Sequence, residues 1–152
     1  MYLKNYLEKF DNRKIKLFVD MDGVIVDYIV GSTSDFHTRR PLLCSINKLN
    51  EISKMQNVEL YILSVTRMDD GYNQKQMWLD EFAPFFQKDK RIIISRESNN
   101  FKSSAELKSE FIKNFQRDDS ILIFIDDDPL ILKTVMEINK DVIPLKDTAL
   151  VD

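Results

Sequence analysis

The stretch Ile15-Lys16-Leu17-Phe18-Val19-Asp20-Met21-Asp22-Gly23-Val24 decides the fold. Its first five residues, branched or aromatic in all but one position, read as a β-strand covered on both faces, after which the chain turns polar at two aspartates and a glycine. Apolar runs of the same character recur at Val58 to Leu63, Arg91 to Ile94 and Ile121 to Ile125, with a weaker fifth at Val142 to Leu145. Between them lie segments with helical spacing: Leu42, Leu43, Ile46, Leu49 and Ile52; Met77, Trp78, Phe82 and Phe85; Leu107, Phe111, Ile112 and Phe115; Leu130, Leu132, Val135, Met136 and Ile138. Ser103 or Ser104 with Glu106 marks a helix start, and Asp128-Pro129 puts proline in the first turn of the last helix. An initial amphipathic helix carries Tyr2, Leu3, Tyr6, Leu7 and Phe10 on one side. Strand and helix alternate, which predicts an α/β protein: an open, mostly parallel sheet with helices on both faces and right-handed crossovers.

Composition narrows the function. The 152 residues contain only 3 Gly and 4 Pro, leaving no room for a flexible linker or a glycine-rich phosphate loop, so residues 1–152 are expected to form one domain. A net charge of −3 argues against a broad basic surface for coating nucleic acid. With Cys44 and His37 the single residues of their kinds, neither an internal disulfide nor a cysteine-built zinc site can form. Cys44, in an apolar helix, is expected to be buried and inert, and Trp78 to pack in the core. No apolar stretch approaches the roughly 18 residues that span a bilayer, and the N-terminus lacks a signal peptide's apolar run, which predicts a cytoplasmic protein without a membrane partner.

In open parallel sheets, ligands bind beyond the carboxyl ends of the strands. The first strand is followed there by Asp20, Asp22 and Gly23, and later Asp27; the second by Ser64, Val65, Thr66 and Arg67; the fourth by Asp126, Asp127 and Asp128. So many carboxylates at one sheet edge repel one another unless a divalent cation compensates them or some are protonated. Donors that are oxygen alone select Mg²⁺, which commonly also binds substrate phosphate. A phosphorylated substrate is therefore expected. Asp128, before Pro129, reads instead as a helix-start residue.

The segment Phe18-Val19-Asp20-Met21-Asp22-Gly23-Val24, with the later motifs in order, resembles the haloacid dehalogenase-like phosphohydrolases over roughly residues 15 to 140. The resemblance implies a three-layer, Rossmann-like fold with a five-stranded sheet in the order 3-2-1-4-5, and Mg²⁺-dependent phosphoryl transfer. It assigns Asp20 as the nucleophile that forms an aspartyl-phosphate and Asp22 as the acid and base. Ser64 would hydrogen-bond the phosphoryl group, with Thr66 as the alternative, and Gly23, Thr66 and Arg67 would line the substrate site. Asp20 and Asp126 would hold the metal directly and Asp127 directly or through water, together with Asp22 through its backbone carbonyl. Either Lys108 or Lys102 would neutralise nucleophile and phosphate; Lys108 shares a helical face with Phe111, Ile112 and Phe115, whereas Lys102 precedes the helix.

Between the first two motifs only Asp27 to Arg40 remains before the next helix, so the chain looks capless. Open sites in this superfamily often serve large substrates. Arg67 and the Lys108 segment are similar to the 3′-phosphatase domain of a bacteriophage polynucleotide kinase, and the DMDGV start is shared with 5′(3′)-deoxyribonucleotidases. A nucleotide or nucleic-acid phosphate end is thus the expected substrate, with phosphoproteins or sugar phosphates as alternatives and a homo-oligomer left open. Arg39 and Arg40 could flank the pocket mouth or form a solvated turn. A signalling receiver also combines acids, a hydroxyl and a lysine on such a sheet, but it places the phosphorylated aspartate at the third strand, and here the Asp-x-Asp pair follows the first.

Overall fold

The structure, a computed structural model, describes residues 3–28, 35–116 and 118–151. Five strands alternate with helices as the apolar pattern predicts. They are β1 (Ile15–Val19), β2 (Val58–Thr66), β3 (Arg91–Ser95), β4 (Ile121–Asp126) and β5 (Ile143–Lys146). All neighbours pair in parallel, in the order β3-β2-β1-β4-β5, so the strand that carries the Asp-x-Asp turn is central.

Strand parity sorts the side chains into two layers, because successive residues point to opposite faces. Ile15, Leu17, Val19, Leu60, Ile62, Ile123 and Ile125 face one core. Onto it pack helices α1 (Leu3–Glu8), α2 (Leu43–Ile52) and α3 (Gly71–Phe82) through Leu3 and Leu7, Ile46 and Leu49, and Trp78 and Leu79. Phe18, Tyr61, Leu63, Leu122 and Phe124 face the other core, beneath α4 (Ser104–Asn114) and α5 (Pro129–Ile138). Ser103 caps α4 by accepting the Glu106 N–H at 3.1 Å, and Asp128 caps α5 by accepting that of Leu130 at 2.9 Å. Both starts lie where the sequence signals put them.

Some expectations need correction. Cys44 is exposed, not buried, and so is Leu43, because Ile46, Leu49 and Ile52 fix the buried stripe of α2 and turn its first residues outward. Met77 is likewise exposed, whereas Trp78 is fully buried as expected, its indole N–H donating to the Arg39 carbonyl at 3.0 Å. Phe85 lies beyond α3, which ends at Phe82 ahead of Pro84. β2 runs on through Ser64, Val65 and Thr66, three residues past the apolar run, because β3 pairs with it up to Thr66↔Ser95. Tyr2 lies outside the described residues.

Between β1 and α2, the described residues form a tight turn at 22–26, a bridge between Val26 and Pro41, and a 3₁₀ turn at Phe36–Thr38; residues 29–34 of this segment are outside the description. Among the described residues no helix is long and apolar enough to cross a membrane.

Candidate metal and phosphoryl site

Strand parity also arranges the rim. Asp20 continues β1 with its N–H on the Ile125 carbonyl at 3.0 Å, and by parity it shares the α4 layer with Phe18, as Asp126 does with Phe124. Lys108, on the buried side of α4, reaches up between them. Its Nζ lies 2.9 Å from Asp20 Oδ1 and 2.7 Å from Asp126 Oδ2, with all three side chains buried. The second Asp126 oxygen accepts the Asp128 N–H at 3.0 Å. Lys102, the other candidate, instead pairs with Glu110 at 3.1 Å on the exposed surface and does not border the cavity. Of the two candidates, Lys108 is thus the one that meets Asp20 and Asp126.

A second lysine, which the sequence reading missed, approaches from the opposite layer. Lys75 of α3 is buried and donates to Ser64 Oγ at 2.6 Å, to Asp22 Oδ2 at 3.0 Å and to the Val65 carbonyl at 2.9 Å. Ser64 itself is fully buried and off the cavity wall, and among the described residues its hydroxyl meets the site through Lys75. Thr66 and Arg67 do border the cavity, and the Thr66 hydroxyl donates to the Met68 carbonyl at 3.3 Å. Arg39 Nη1 holds the other Asp22 oxygen at 3.0 Å, while Arg40 faces outward and pairs with Asp27. The Phe36 ring lies 5.0 Å from both the Lys75 ammonium and the Arg39 guanidinium, so one aromatic ring supports the two cations that grip Asp22. The signal for Lys75 was its spacing: Trp78 and Leu79, three and four residues on, share its buried face.

Among the described residues, Asp20, Asp126 and Asp127 each offer a carboxylate oxygen, all within 4.8 Å of one another. The Asp22 carboxylate, occupied by Lys75 and Arg39, does not join them. Burial raises the Asp20 carboxyl to about 7, with Asp126 and Asp22 adding to the rise and Lys108 opposing it. Burial also raises Asp126 and Asp127. For Lys108, burial alone would lower the ammonium's value, but Asp20 and Asp126 outweigh it and hold the group above its ordinary range. One ammonium therefore serves carboxylates that carry more negative charge than it neutralises. A hard cation fits that deficit, and the all-oxygen donors suit Mg²⁺.

Gly23 makes room for this arrangement. Its φ of +77° is the left-handed region, and a Cβ there would meet Asp127 Oδ2 at 2.0 Å. Gly23→Ala is therefore expected to cost about 1–2 kcal/mol in backbone conformation alone and to displace the Asp127 carboxylate. Thermal unfolding with and without Mg²⁺ measures both effects: a lower melting temperature and a smaller Mg²⁺-induced rise. An unaltered melting temperature would mean that the turn tolerates a side chain.

The acids and cations border a cavity of about 910 Å³, from Asp20 and Asp22 past Arg39 and Lys75 to Arg67 and Arg96. Fold and rim together define a parallel α/β protein with a hard-cation donor set at the carboxyl ends of β1 and β4. Solved structures share that fold. A chain of the Pnkp1/Rnl/Hen1 RNA repair complex matches 90% of this chain with a TM-score of 0.67 at 13% identity. The N-terminal part of the protein BF1531 from Bacteroides fragilis, which contains a phosphatase domain and is complexed with Mg, matches 92% with a TM-score of 0.56 at 16% identity. This chain spans 43% and 38% of their respective lengths. No family model and no curated protein matches it.

Proposed function

We propose that this chain is a Mg²⁺-dependent phosphomonoester hydrolase of the haloacid dehalogenase-like type, with residues 1–152 as one hydrolase domain, acting on a nucleotide or nucleic-acid phosphate end. The observation that carries the reading is the division of labour at one turn. Asp20 is held by Lys108 at 2.9 Å and Asp22, two residues on, by Lys75 and Arg39 at 3.0 Å, and both acids border the same cavity.

Asp20, Asp126 and Asp127 would hold Mg²⁺ through carboxylate oxygens and Asp22 through its backbone carbonyl. The ion supplies charge compensation and Lewis-acid polarisation of the phosphoryl oxygens. Lys108 fixes one Asp20 oxygen and leaves the other to attack phosphorus. As that Asp20 O–P bond forms, the bond to the leaving oxygen breaks, and Asp22, protonated on an oxygen that substrate binding frees from Lys75 or Arg39, gives the leaving oxygen its proton. Asp22, now ionised and still aimed by Lys75 and Arg39, takes a proton from water. That water oxygen bonds to phosphorus, the Asp20–phosphate bond breaks, and inorganic phosphate departs with Asp20 and Asp22 restored. The buried Ser64 keeps Lys75 in place, and Thr66 and Arg67 face the substrate.

The likeness to a chain of an RNA repair complex supports a nucleic-acid substrate, and the likeness to a phosphatase domain complexed with Mg supports the reaction and the ion. The test is a phosphate-release screen of nucleoside monophosphates, 3′- and 5′-phosphorylated oligonucleotides, phosphopeptides and sugar phosphates. Multiple turnovers are expected with Mg²⁺, none after chelation, and the highest kcat/KM on nucleic-acid ends. A stable phosphoprotein that forms from acetyl phosphate without turnover would instead establish a receiver.

A further inference from the structure

We propose that Arg67 and Arg96 form a second phosphate subsite, which takes the internucleotide phosphodiester next to the terminal phosphate of a nucleic-acid strand. The inference rests on the phosphatase reading for its terminal phosphate and starts from the cations on the cavity wall. Lys108 is spent on Asp20 and Asp126, and Lys75 and Arg39 on Asp22. Arg67 and Arg96 border the same cavity, and neither forms an ion pair among the described residues. Arg96 donates through Nε to the Lys102 carbonyl at 2.8 Å and through Nη2 to the Phe101 carbonyl at 3.0 Å. Neutral acceptors orient a guanidinium without cancelling its charge.

Two of the acids beside the pair are engaged elsewhere. Asp69 accepts from the Ser95 and Ser98 hydroxyls, and Glu97 accepts the Asp69 N–H at 2.9 Å. Asp70 is the acid of this loop that shares the cavity wall.

The pair is held in place by the backbone. The Arg96 N–H donates to the Thr66 carbonyl at 2.8 Å and the Glu97 N–H to that of Arg67 at 3.0 Å, tying the loop after β3 to the loop after β2. Asn100 and Phe101 both adopt left-handed backbone, with φ of 55° and 53°, and this reversal presents the carbonyls that grip Arg96. A bulky residue adopts that conformation only where its surroundings enforce it, and such enforcement clusters at functional sites. Phe101 is also half-exposed, an aromatic side chain next in sequence to this anchor although not on the cavity wall itself. A cavity of about 910 Å³ accommodates far more than one phosphoryl group. With Mg²⁺ compensating the rim carboxylates, two arginines that form no ion pair among the described residues give a local anion site on a chain of net charge −3 without a basic surface.

The test uses the full chain with fluorescent single strands phosphorylated at the 3′ or 5′ end, whose linkage next to that end is either native or a neutral methylphosphonate. Anisotropy and phosphate release are read together in Mg²⁺. The neutral linkage is expected to weaken binding by about tenfold in the native chain, for at least one end, and to cost little in Arg96→Gln. The slope of log K against log salt should be shallower by about 1 in that variant. Arg67→Gln gives the same pattern from the other side of the pair, so a variant that unfolds on heating at lower temperature leaves the other to decide. Equal binding of both linkages at both ends, or displacement by a phosphopeptide as effective as by the strand, overturns the subsite. Linkage-dependent binding without phosphate release would keep the subsite and remove the phosphatase reading; release without linkage dependence would do the reverse.

Discussion

Asp20→Asn is expected to abolish phosphate release, by roughly 10⁴-fold or more, while leaving the metal-free protein at least as stable as the native chain. The catalytic loss follows from chemistry, since an amide oxygen in place of the attacking carboxylate cannot form the acyl phosphate, and removing a covalent nucleophile costs on that order. The stability follows from counting charge at the rim. Asp20 and Asp126 share the Lys108 ammonium in a buried setting, and Asp127 contributes a further carboxylate within 4.8 Å. A carboxyl raised in the fold from 3.8 to about 7 is ionised in the unfolded chain at neutral pH but resisted in the folded one, so its charge works against folding there. Asn keeps the shape and an acceptor for Lys108 without that charge. The metal-free melting temperature should therefore hold or rise. Adding Mg²⁺ should reverse the ranking, because the cation stabilises the native chain in proportion to its occupancy and finds one carboxylate fewer in the variant. Calorimetry with and without Mg²⁺, beside a turnover assay, reads all three. Residual turnover near the native rate would remove Asp20 as nucleophile, and a large metal-free loss of stability would show that its charge is compensated by Lys108 alone.

The same parity that fixes this charge count explains how much could be read from the sequence. Five apolar runs separated by helical spacings give the strands and helices, because a sheet buried on both faces needs continuous apolar strands and no other residue pattern supplies them. The acids were legible for a related reason: they stand where the first and fourth apolar runs stop, at the end where parallel sheets open. Lys108 could be ranked but not separated from Lys102, since spacing shows which helix face a lysine shares and not whether a carboxylate waits above it. Lys75 was passed over because Gln74 and Gln76 flank it and its own stretch reads as polar, although Trp78 and Leu79 mark its face as buried. Phe36 and Arg39 were not legible as part of the grip on Asp22. Their position depends on the Phe36 N–H donating to the Gln74 side chain at 2.7 Å and on Trp78 bonding the Arg39 carbonyl, which are contacts between segments far apart in sequence. Arg91 shows the same limit. Charge alone ordinarily places an arginine in solvent, yet this one is buried because Asp80 at 2.7 Å and the Phe86 carbonyl at 2.9 Å both receive it.

Lys108→Met is expected to produce the opposite result to Asp20→Asn: loss of activity together with a loss of stability of about 3–5 kcal/mol in the absence of metal. Methionine matches the lysine stem in length and has no charge to bury, so packing over the Phe124 ring of β4 is largely kept and the effect isolates the ammonium. Attraction in the native chain has to overcome the desolvation of Lys108, and it does, since the group stays protonated with carboxylates at 2.9 and 2.7 Å. Without the ammonium, Asp20 and Asp126 remain buried and face each other uncompensated, and that penalty exceeds what relief from burying the lysine returns. At roughly 2–4 °C per kcal/mol for a chain of this size, the melting temperature should fall by about 6–20 °C. Asp126→Asn in the same chain should recover part of the fall, because it removes one of the two opposed charges, and the double-mutant cycle then measures the coupling directly. Mg²⁺ should restore stability to Lys108→Met more than to the double variant, since it replaces the missing positive charge while all its carboxylate donors are still present. A fall of less than about 1 kcal/mol, or a cycle without coupling, would mean that the two acids are not held ionised around Lys108. The charge balance assigned to the rim would then have to be abandoned.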